Sequence, residues 1–179
     1  MPSLTEKRHS NQVTVLSETL FNQLKSIHHL GEKELDWLKK AAVLHDIGWI
    51  GGGKKHHKRS RDMILKCPYL PFSGEERLVI ALIARYHRGS SPKNTHRYFK
   101  DLAPALKNRV AWLSAILRIS EGLDRTHLGS IKNIRCRLTK NRIALILIPK
   151  SIPIEDRISG LDKADMLEKY SERKIIIHG

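Results

Sequence analysis

The chain has 179 residues, 40% of them hydrophobic, and 33 Lys and Arg against 18 Asp and Glu give a formal net charge of +15 at pH 7. This length accommodates one domain, or one domain with a small appendage. No long uncharged apolar run or signal-peptide pattern occurs, so we expect a cytoplasmic protein without a membrane span. The charge predicts a surface that attracts polyanions such as nucleic acid, nucleotides, polyphosphate or anionic membrane.

The N-terminal segment from about His9 to Leu30 has apolar residues at intervals of three and four, which predicts a helix. Gly31 is expected to close this helix, because glycine readily takes the left-handed conformation at a helix C-terminus. His9 lies one turn before Val13, so its side chain is expected on the apolar stripe that faces the core.

A second helix is predicted from Glu32 to Asp46, and Gly48 just beyond is expected to stop it. Its apolar stripe ends in His45, which brings an imidazole and the neighbouring Asp46 carboxylate toward the core. A buried carboxylate needs a cation, and the simplest cation that satisfies both side chains is a divalent metal. This helix therefore predicts a metal site for which the rest of the chain must supply further ligands.

A glycine-rich loop separates this helix from a third, which we predict at about 56–66. A fourth helix, continuing through residue 88, is expected to open with a capping box formed by Ser73 and Glu76. It is apolar nearly all round, which predicts the central buried helix of the fold, with His87 at its inner end.

The segment 89–103 has turn chemistry without a helical period, which predicts a polar loop. A fifth helix is expected to begin at Pro104, because proline suits the first position of a helix. The apolar stripe of this helix includes Asp124, so this acid is predicted on the core side and not on the surface.

The residue pattern changes after Gly129. Two β-rich runs come first and predict a hairpin, and they are followed by a predicted helix and a predicted short strand. These segments are 131–138, 143–148, 155–170 and 174–177. We therefore predict a mainly α fold, with a helical domain over residues 1–128 and a small α/β appendage over residues 129–179 that packs on the same core.

The candidate site residues occur in the order His9, His45 and Asp46, His56 or His57, His87, and Asp124. This order resembles the HD domain of metal-dependent phosphohydrolases. The chain is more closely similar to the C-terminal domain of the exopolyphosphatase and guanosine pentaphosphate phosphohydrolase family. The similarity lies in LHDIG at 44–48, HHKRS at 56–60, RYHRG at 85–89, EGLDRTH at 121–127 and LDKADMLEKYSERKIII at 161–177. It implies an HD-type helical bundle.

The resemblance implies a set of four ligands for a divalent metal, namely His9, His45, Asp46 and Asp124. Two imidazoles and two carboxylates suit Mn²⁺, Fe²⁺, Ni²⁺, Zn²⁺ or Mg²⁺. Such a metal lowers the pKa of a bound water from ~15.7 to roughly 7, which provides hydroxide near an electrophilic phosphorus at neutral pH. Asp46 is expected to orient this water as well.

His56 or His57, together with His87, resembles the extra histidine pair that holds a second metal in some HD enzymes, with Asp46 as the bridge. The sequence leaves open which of His56 and His57 faces the site. In a one-metal site these histidines would instead bind substrate phosphate or protonate the leaving oxygen. The predicted catalytic residues are Asp46, His56, His57 and His87.

Basic residues cluster in sequence around the predicted site. Runs of this kind are usually solvated faces, but beside a metal they would form an electrostatic funnel for phosphate. The predicted substrate phosphate ligands are Lys54, Lys55, Lys58, Arg59 and Arg88.

The sequence and the resemblance are consistent with two functions. The first is a metal-dependent phosphohydrolase that acts on a nucleotide-like or polyphosphate substrate. The second is a non-catalytic module that binds polyphosphate, a nucleotide or nucleic acid, because hydrolysis in the resembling family is attributed to an actin-like N-terminal domain. We expect a stand-alone protein without that domain, and the full HD ligand set favours the enzyme. A homodimer and docking on a separate catalytic chain are both left open.

Overall fold

The computed structural model describes residues 4–49, 53–149 and 151–178. Within these ranges the fold is mainly α, with a three-stranded sheet in the C-terminal part, as predicted. The helices are α1 (Leu4–Gln23), α2 (Lys25–His28), α3 (Glu32–Leu44), α4 (His56–Lys66), α5 (Gly74–Arg85), α6 (Pro104–Gly122), α7 (Ile154–Asp162) and α8 (Asp165–Ser171). The strands are β1 (Asn133–Leu138), β2 (Arg142–Ile148) and β3 (Lys174–His178).

The predicted first helix is divided into α1 and α2, which meet at Leu24. The prediction that Gly31 closes it was wrong, because His29 takes the left-handed conformation with φ of 55° and ends α2. Gly31 instead precedes α3, where its backbone N–H donates to Oε2 of Glu34 at 2.9 Å. This side-chain bond satisfies a donor at the start of α3.

The helix α4 confirms its predicted range, but the predicted capping box before α5 is absent. Ser73 precedes α5 as expected, yet its side chain makes no capping hydrogen bond. Glu76 pairs with Lys40 of α3 at 2.7 Å instead. The helix α5 ends at Arg85, three residues earlier than predicted, and His87 therefore lies in the bend that follows it.

The helical core lies between α1, α3, α5 and α6, in which α3 and α6 contact each other and both contact α1 and α5. The helix α5 is its most enclosed element, since residues 79–84 are all inaccessible to solvent. Leu38 of α3 and Leu113 of α6 are equally buried in the same core. This packing confirms the prediction of a central buried helix, and it brings the C-terminal ends of α3, α5 and α6 near the N-terminal part of α1.

The sheet has the order β1, β2, β3. The predicted hairpin is confirmed, because β1 pairs antiparallel with β2, and β3 then pairs parallel with β2. The side chain of Gln23 in α1 accepts a hydrogen bond from the N–H of Cys136 at 2.7 Å, which ties the sheet to the bundle. The predicted helix 155–170 is interrupted and forms α7 and α8. The boundary after residue 128 stays a prediction.

None of the helices in the described ranges combines the length and the apolar character needed to cross a membrane.

Candidate metal centre

Five of the predicted site residues meet at one end of the helical bundle, although they come from four separate parts of the chain. They are His9 in α1, His45 and Asp46 directly after α3, His56 at the start of α4 and His87 after α5. Each histidine is at most 2% exposed, whereas the Asp46 side chain is 23% exposed. The site is therefore enclosed by imidazole rings and is open to solvent at the Asp46 carboxylate.

The Asp46 carboxylate lies between three imidazoles. Its Oδ1 atom is 3.1 Å from Nε2 of His56 and 3.5 Å from Nε2 of His87. Its Oδ2 atom is 3.6 Å from Nε2 of His45. The Asp46 carboxylate thus faces the Nε2 atoms of three histidines.

The three histidines around Asp46 share a local arrangement that fixes their protons. Each Nδ1 lies within hydrogen-bond distance of the carbonyl oxygen three residues earlier in the chain. Because a carbonyl only accepts, Nδ1 of each ring carries a proton, and in the neutral form of the ring Nε2 presents its lone pair to the site. The three contacts are His45 with Ala42 at 2.6 Å, His56 with Gly53 at 2.7 Å and His87 with Ala84 at 2.7 Å.

This arrangement leaves lone pairs facing each other. Nε2 of His56 lies only 3.1 Å from Nε2 of His87, and two unprotonated nitrogens cannot form a hydrogen bond. Nε2 of His45 and Oδ1 of Asp46 are buried without a hydrogen-bond partner. Buried polar atoms rarely lack a partner, and a divalent cation would satisfy all of these acceptors together. The donor set therefore fits a metal ion.

Ligand atoms within the described ranges form two groups close enough to hold a metal ion. One contains His9, His45 and Asp46, and the other contains Asp46, His56 and His87. In each group the ligand atoms lie within 4.8 Å of one another. Asp46 belongs to both groups, and its two oxygens face different histidines.

Asp124 lies behind His9 and outside both groups. Its Oδ2 accepts a hydrogen bond from Nδ1 of His9 at 2.8 Å, and its Oδ1 accepts one from the backbone N–H of Gly129 at 2.8 Å. This pairing leaves Nε2 of His9 buried, without a hydrogen-bond partner and available for a metal. A carboxylate on the outer nitrogen of a ligating histidine is a common supporting arrangement. The role of Asp124 as a direct ligand stays a prediction.

No pattern in the sequence marks His127 as a site residue, but the structure places its ring against the site. Its ring stacks on that of His9 with centroids 3.8 Å apart and an interplanar angle of 15°. The residue follows Asp124 in a turn and has a φ of 59°, so no helical spacing relates it to the other site residues. The stacked ring of His127 restricts the orientation of the His9 ring, and only the tertiary structure brings these two residues together.

A family model described as Ppx/GppA phosphatase, domain III, matches residues 5–152. The chain belongs to this family. The match spans α1 to β2 and includes every residue of both groups as well as Asp124. It confirms the predicted relation to the exopolyphosphatase family, while membership of the wider HD superfamily stays a prediction. A comparison with curated proteins finds no match.

The protonation of the histidines in this domain III suits metal binding. Burial lowers the pKa of His45 to about 4 and the pKa of His87 well below its usual value, against the opposing charge of Asp46. Burial would raise the pKa of Asp46, but the imidazoles of His45 and His56 keep it below its ordinary range. At neutral pH His45 and His87 are therefore neutral and Asp46 is ionised, and these are the forms that bind a metal.

Gly48 sets the position of α4 in this domain. The helix α3 ends at Leu44, so Gly48 does not stop it as predicted. A side chain here would place Cβ 2.4 Å from the backbone nitrogen of Ser60 and 2.6 Å from the carbonyl oxygen of His56. The N–H of Gly48 also donates to Oγ of Ser60 at 3.0 Å. Glycine thus allows α4 to approach closely enough for His56 to reach Asp46.

The fold distinguishes His56 from His57. His56 is 1% exposed and faces Asp46, whereas His57 is half-buried and its ring is perpendicular to that of His56. Nδ1 of His57 is buried without a hydrogen-bond partner, and burial followed by the charge of Arg85 lowers the pKa of this histidine to about 4. His57 therefore lies beside the second group without belonging to it.

The predicted phosphate ligands have different environments. Lys54, Lys55 and Lys58 are exposed. Arg59 donates to the carbonyls of Gly48 at 2.8 Å and Lys54 at 3.0 Å, so its guanidinium supports the loop before α4. Arg88 is half-buried, and its charge reaches His57. Phosphate binding by these five residues stays a prediction.

Proposed function

We propose that this domain III chain is a metal-dependent phosphohydrolase that acts on a nucleotide-like or polyphosphate substrate. One observation carries the proposal: the Asp46 carboxylate is shared by two groups of histidines whose Nε2 lone pairs converge on it. A merely structural cluster would satisfy these buried acceptors with donors, and none of the donors in the described ranges does so for His9, His45 and Asp46.

In this proposal His9, His45 and Asp46 hold one divalent metal, and Asp46, His56 and His87 hold a second. The metal is Mn²⁺, Fe²⁺, Ni²⁺, Zn²⁺ or Mg²⁺, and when bound it supplies Lewis acidity toward a phosphoryl oxygen and acidifies a water molecule.

Hydrogen bonds within the protein would hold the proposed ligands in the orientation that metal binding requires. The hydrogen bonds from Nδ1 keep the rings of His45, His56 and His87 in one tautomer and one orientation. Asp124 accepts the proton of Nδ1 in a hydrogen bond and so orients the ring of His9 with Nε2 toward the site. The partial exposure of Asp46 gives substrate and water a route to the shared carboxylate.

The substrate class is supported by charge. The net charge of +15 attracts a phosphate-rich anion, and Lys54 and Lys55 just before His56 and Lys58 just after it are exposed. These lysines would raise the local concentration of the substrate and would contribute less at high salt.

Metal-dependent phosphate release tests the proposal. Protein treated with EDTA and reloaded with Mn²⁺ is incubated with tripolyphosphate or a nucleoside triphosphate. We expect turnover that requires the metal and disappears in Asp46→Asn. Asp36→Asn is the matched control, because Asp36 is an exposed acid on α3 that forms an ion pair with Lys40 at 2.6 Å, away from the candidate metal ligands. Protein that takes up no Mn²⁺, Ni²⁺ or Mg²⁺, or that stays active as Asp46→Asn, would overturn it.

The second candidate is a non-catalytic module that binds polyphosphate, a nucleotide or nucleic acid. It is favoured by the match to one domain of a multidomain phosphatase family together with the large positive charge. On this alternative Asp46→Asn would leave polyphosphate affinity unchanged. Replacement of Lys54, Lys55 and Lys58 by Met would weaken it in a salt-dependent way.

A further inference from the structure

Arg85, the last residue of α5, is a buried arginine without a carboxylate partner among the described residues. It is only 6% exposed, and its Nη1 atom is fully buried without a hydrogen-bond acceptor. The charge of Asp62 reaches Arg85, but Asp62 is already paired with Nη2 of Arg61 at 2.7 Å. Burial of an unpaired guanidinium is costly, so this position calls for an anion that the protein itself does not provide.

Packing on an aromatic ring does not replace this anion. The guanidinium carbon of Arg85 lies 5.2 Å from the centroid of the Tyr86 ring, which gives a cation–π contact. Such a contact compensates only part of the cost of removing a charge from water, and it leaves Nη1 without an acceptor.

His57 faces the same place as Arg85. A Cβ atom built on Gly89 would lie 3.3 Å from Nε2 of His57 and 3.9 Å from Nη1 of Arg85. Gly89 is exposed and has a φ of 73°, a conformation that disfavours a side chain. An imidazole and a guanidinium therefore flank a spot on the surface that glycine keeps open.

We propose that Arg85, His57 and the open surface of Gly89 form a subsite for a phosphoryl group. This inference rests on the proposed function and names the place where the substrate phosphate binds. The subsite adjoins the second ligand group, because the ring centroids of His57 and His87 are 6.3 Å apart.

A phosphoryl group fits this subsite better than a carboxylate does. Its tetrahedral oxygens can accept from the guanidinium and from the imidazole and still leave an oxygen directed away from both, whereas a carboxylate has only two oxygens. The charge of Arg88, which also reaches His57, adds to the attraction for an anion with more than one negative charge. Arg85 thereby becomes a positioning and binding residue that sequence spacing did not mark.

Binding of orthophosphate and pyrophosphate to the EDTA-treated protein tests this subsite apart from metal binding and hydrolysis. Affinity is measured by calorimetry and thermal stability by a melting experiment. We expect Arg85→Met to lower the affinity for pyrophosphate at least tenfold, while its melting temperature without ligand stays equal or rises because an unpaired charge has been removed. The control Arg137→Met removes the same charge from an exposed position on β1 and should change affinity less than twofold.

The proposal is overturned if Arg85→Met binds pyrophosphate as the wild type does, or if Arg137→Met loses as much affinity. Should Arg85→Met fail to fold, Arg85→Lys decides, because it keeps the charge and loses the planar fork of donors. We expect it to lose at least fivefold in affinity, and an unchanged affinity would again overturn the subsite. Failure of the proposed function would appear separately, as the absence of metal uptake or turnover in wild-type protein.

Discussion

Asp124 provides the most informative test of how the centre is built. Asp124→Asn keeps the shape of the side chain and removes its charge. In the structure one oxygen accepts from His9 and the other from Gly129, both at 2.8 Å, and the residue is 1% exposed. Asparagine has only one acceptor oxygen, so either the imidazole N–H or the backbone N–H must face the amide NH₂ group.

The magnitude follows from this geometry. A buried donor without a partner reduces the free energy of unfolding by about 1–3 kcal/mol. Loss of the carboxylate behind a ligating histidine lowers metal affinity by about 10- to 100-fold, or ~1.4–2.8 kcal/mol. The loss should be confined to the His9, His45 and Asp46 group, because Asp124 contacts none of the ligands in the other group. Asp46→Asn should weaken both sites.

Calorimetric titration of the EDTA-treated protein with Mn²⁺ resolves these cases, with elemental mass spectrometry of the gel-filtered protein as a second measurement. The control Asp36→Asn should bind as the wild type does. A loss in Asp124→Asn as large as that in Asp46→Asn would show that Asp124 is itself a ligand. An unchanged affinity would show that the bond to His9 does not support metal binding. Either result would refute the reasoning.

Three further predictions concern pH, packing and stoichiometry. Metal-free protein should lose stability as pH falls from about 6.5 to 4, because burial lowers the pKa of His45 in the folded protein to about 4 and the unfolded chain therefore takes up the proton first. The contribution of His45 to the free energy of unfolding is up to about 3 kcal/mol and is fully present above pH 6.5. Urea unfolding at a series of pH values measures it. Gly48→Ala should lower stability by about 1–3 kcal/mol in the same assay, since its Cβ would lie 2.4 Å from the backbone nitrogen of Ser60, and an unchanged stability would contradict the close packing of α4. His56→Gln should remove the second metal and leave the first, so elemental analysis should find half the wild-type metal content, and full content would contradict the two-group assignment.

Much of the fold could be predicted from the sequence because local signals were strong. Proline at position 104, apolar spacing in α5 and β-rich runs on either side of a polar turn define their elements without help from distant residues. The wrong predictions concern helix ends, where a side chain can bind either the end of its own helix or a neighbouring element. Glu76 pairs with Lys40 instead of capping α5, and His29 ends α2 where Gly31 was expected.

The sequence by itself also determined which residue types could form a centre, since His45 and Asp46 end an apolar helix and need a cation. Only the tertiary structure decided how they are used. Side chains from α1, α3, α4 and the bend after α5 meet because the bundle packs those ends together, and this contact assigns Asp46 to both ligand groups and Asp124 to the outer nitrogen of His9. The choice of His56 over His57 and the unpaired charge of Arg85 depend on which way a side chain points and on what surrounds it. Spacing along one helix cannot supply that information, because it is created by neighbours that are distant in the chain.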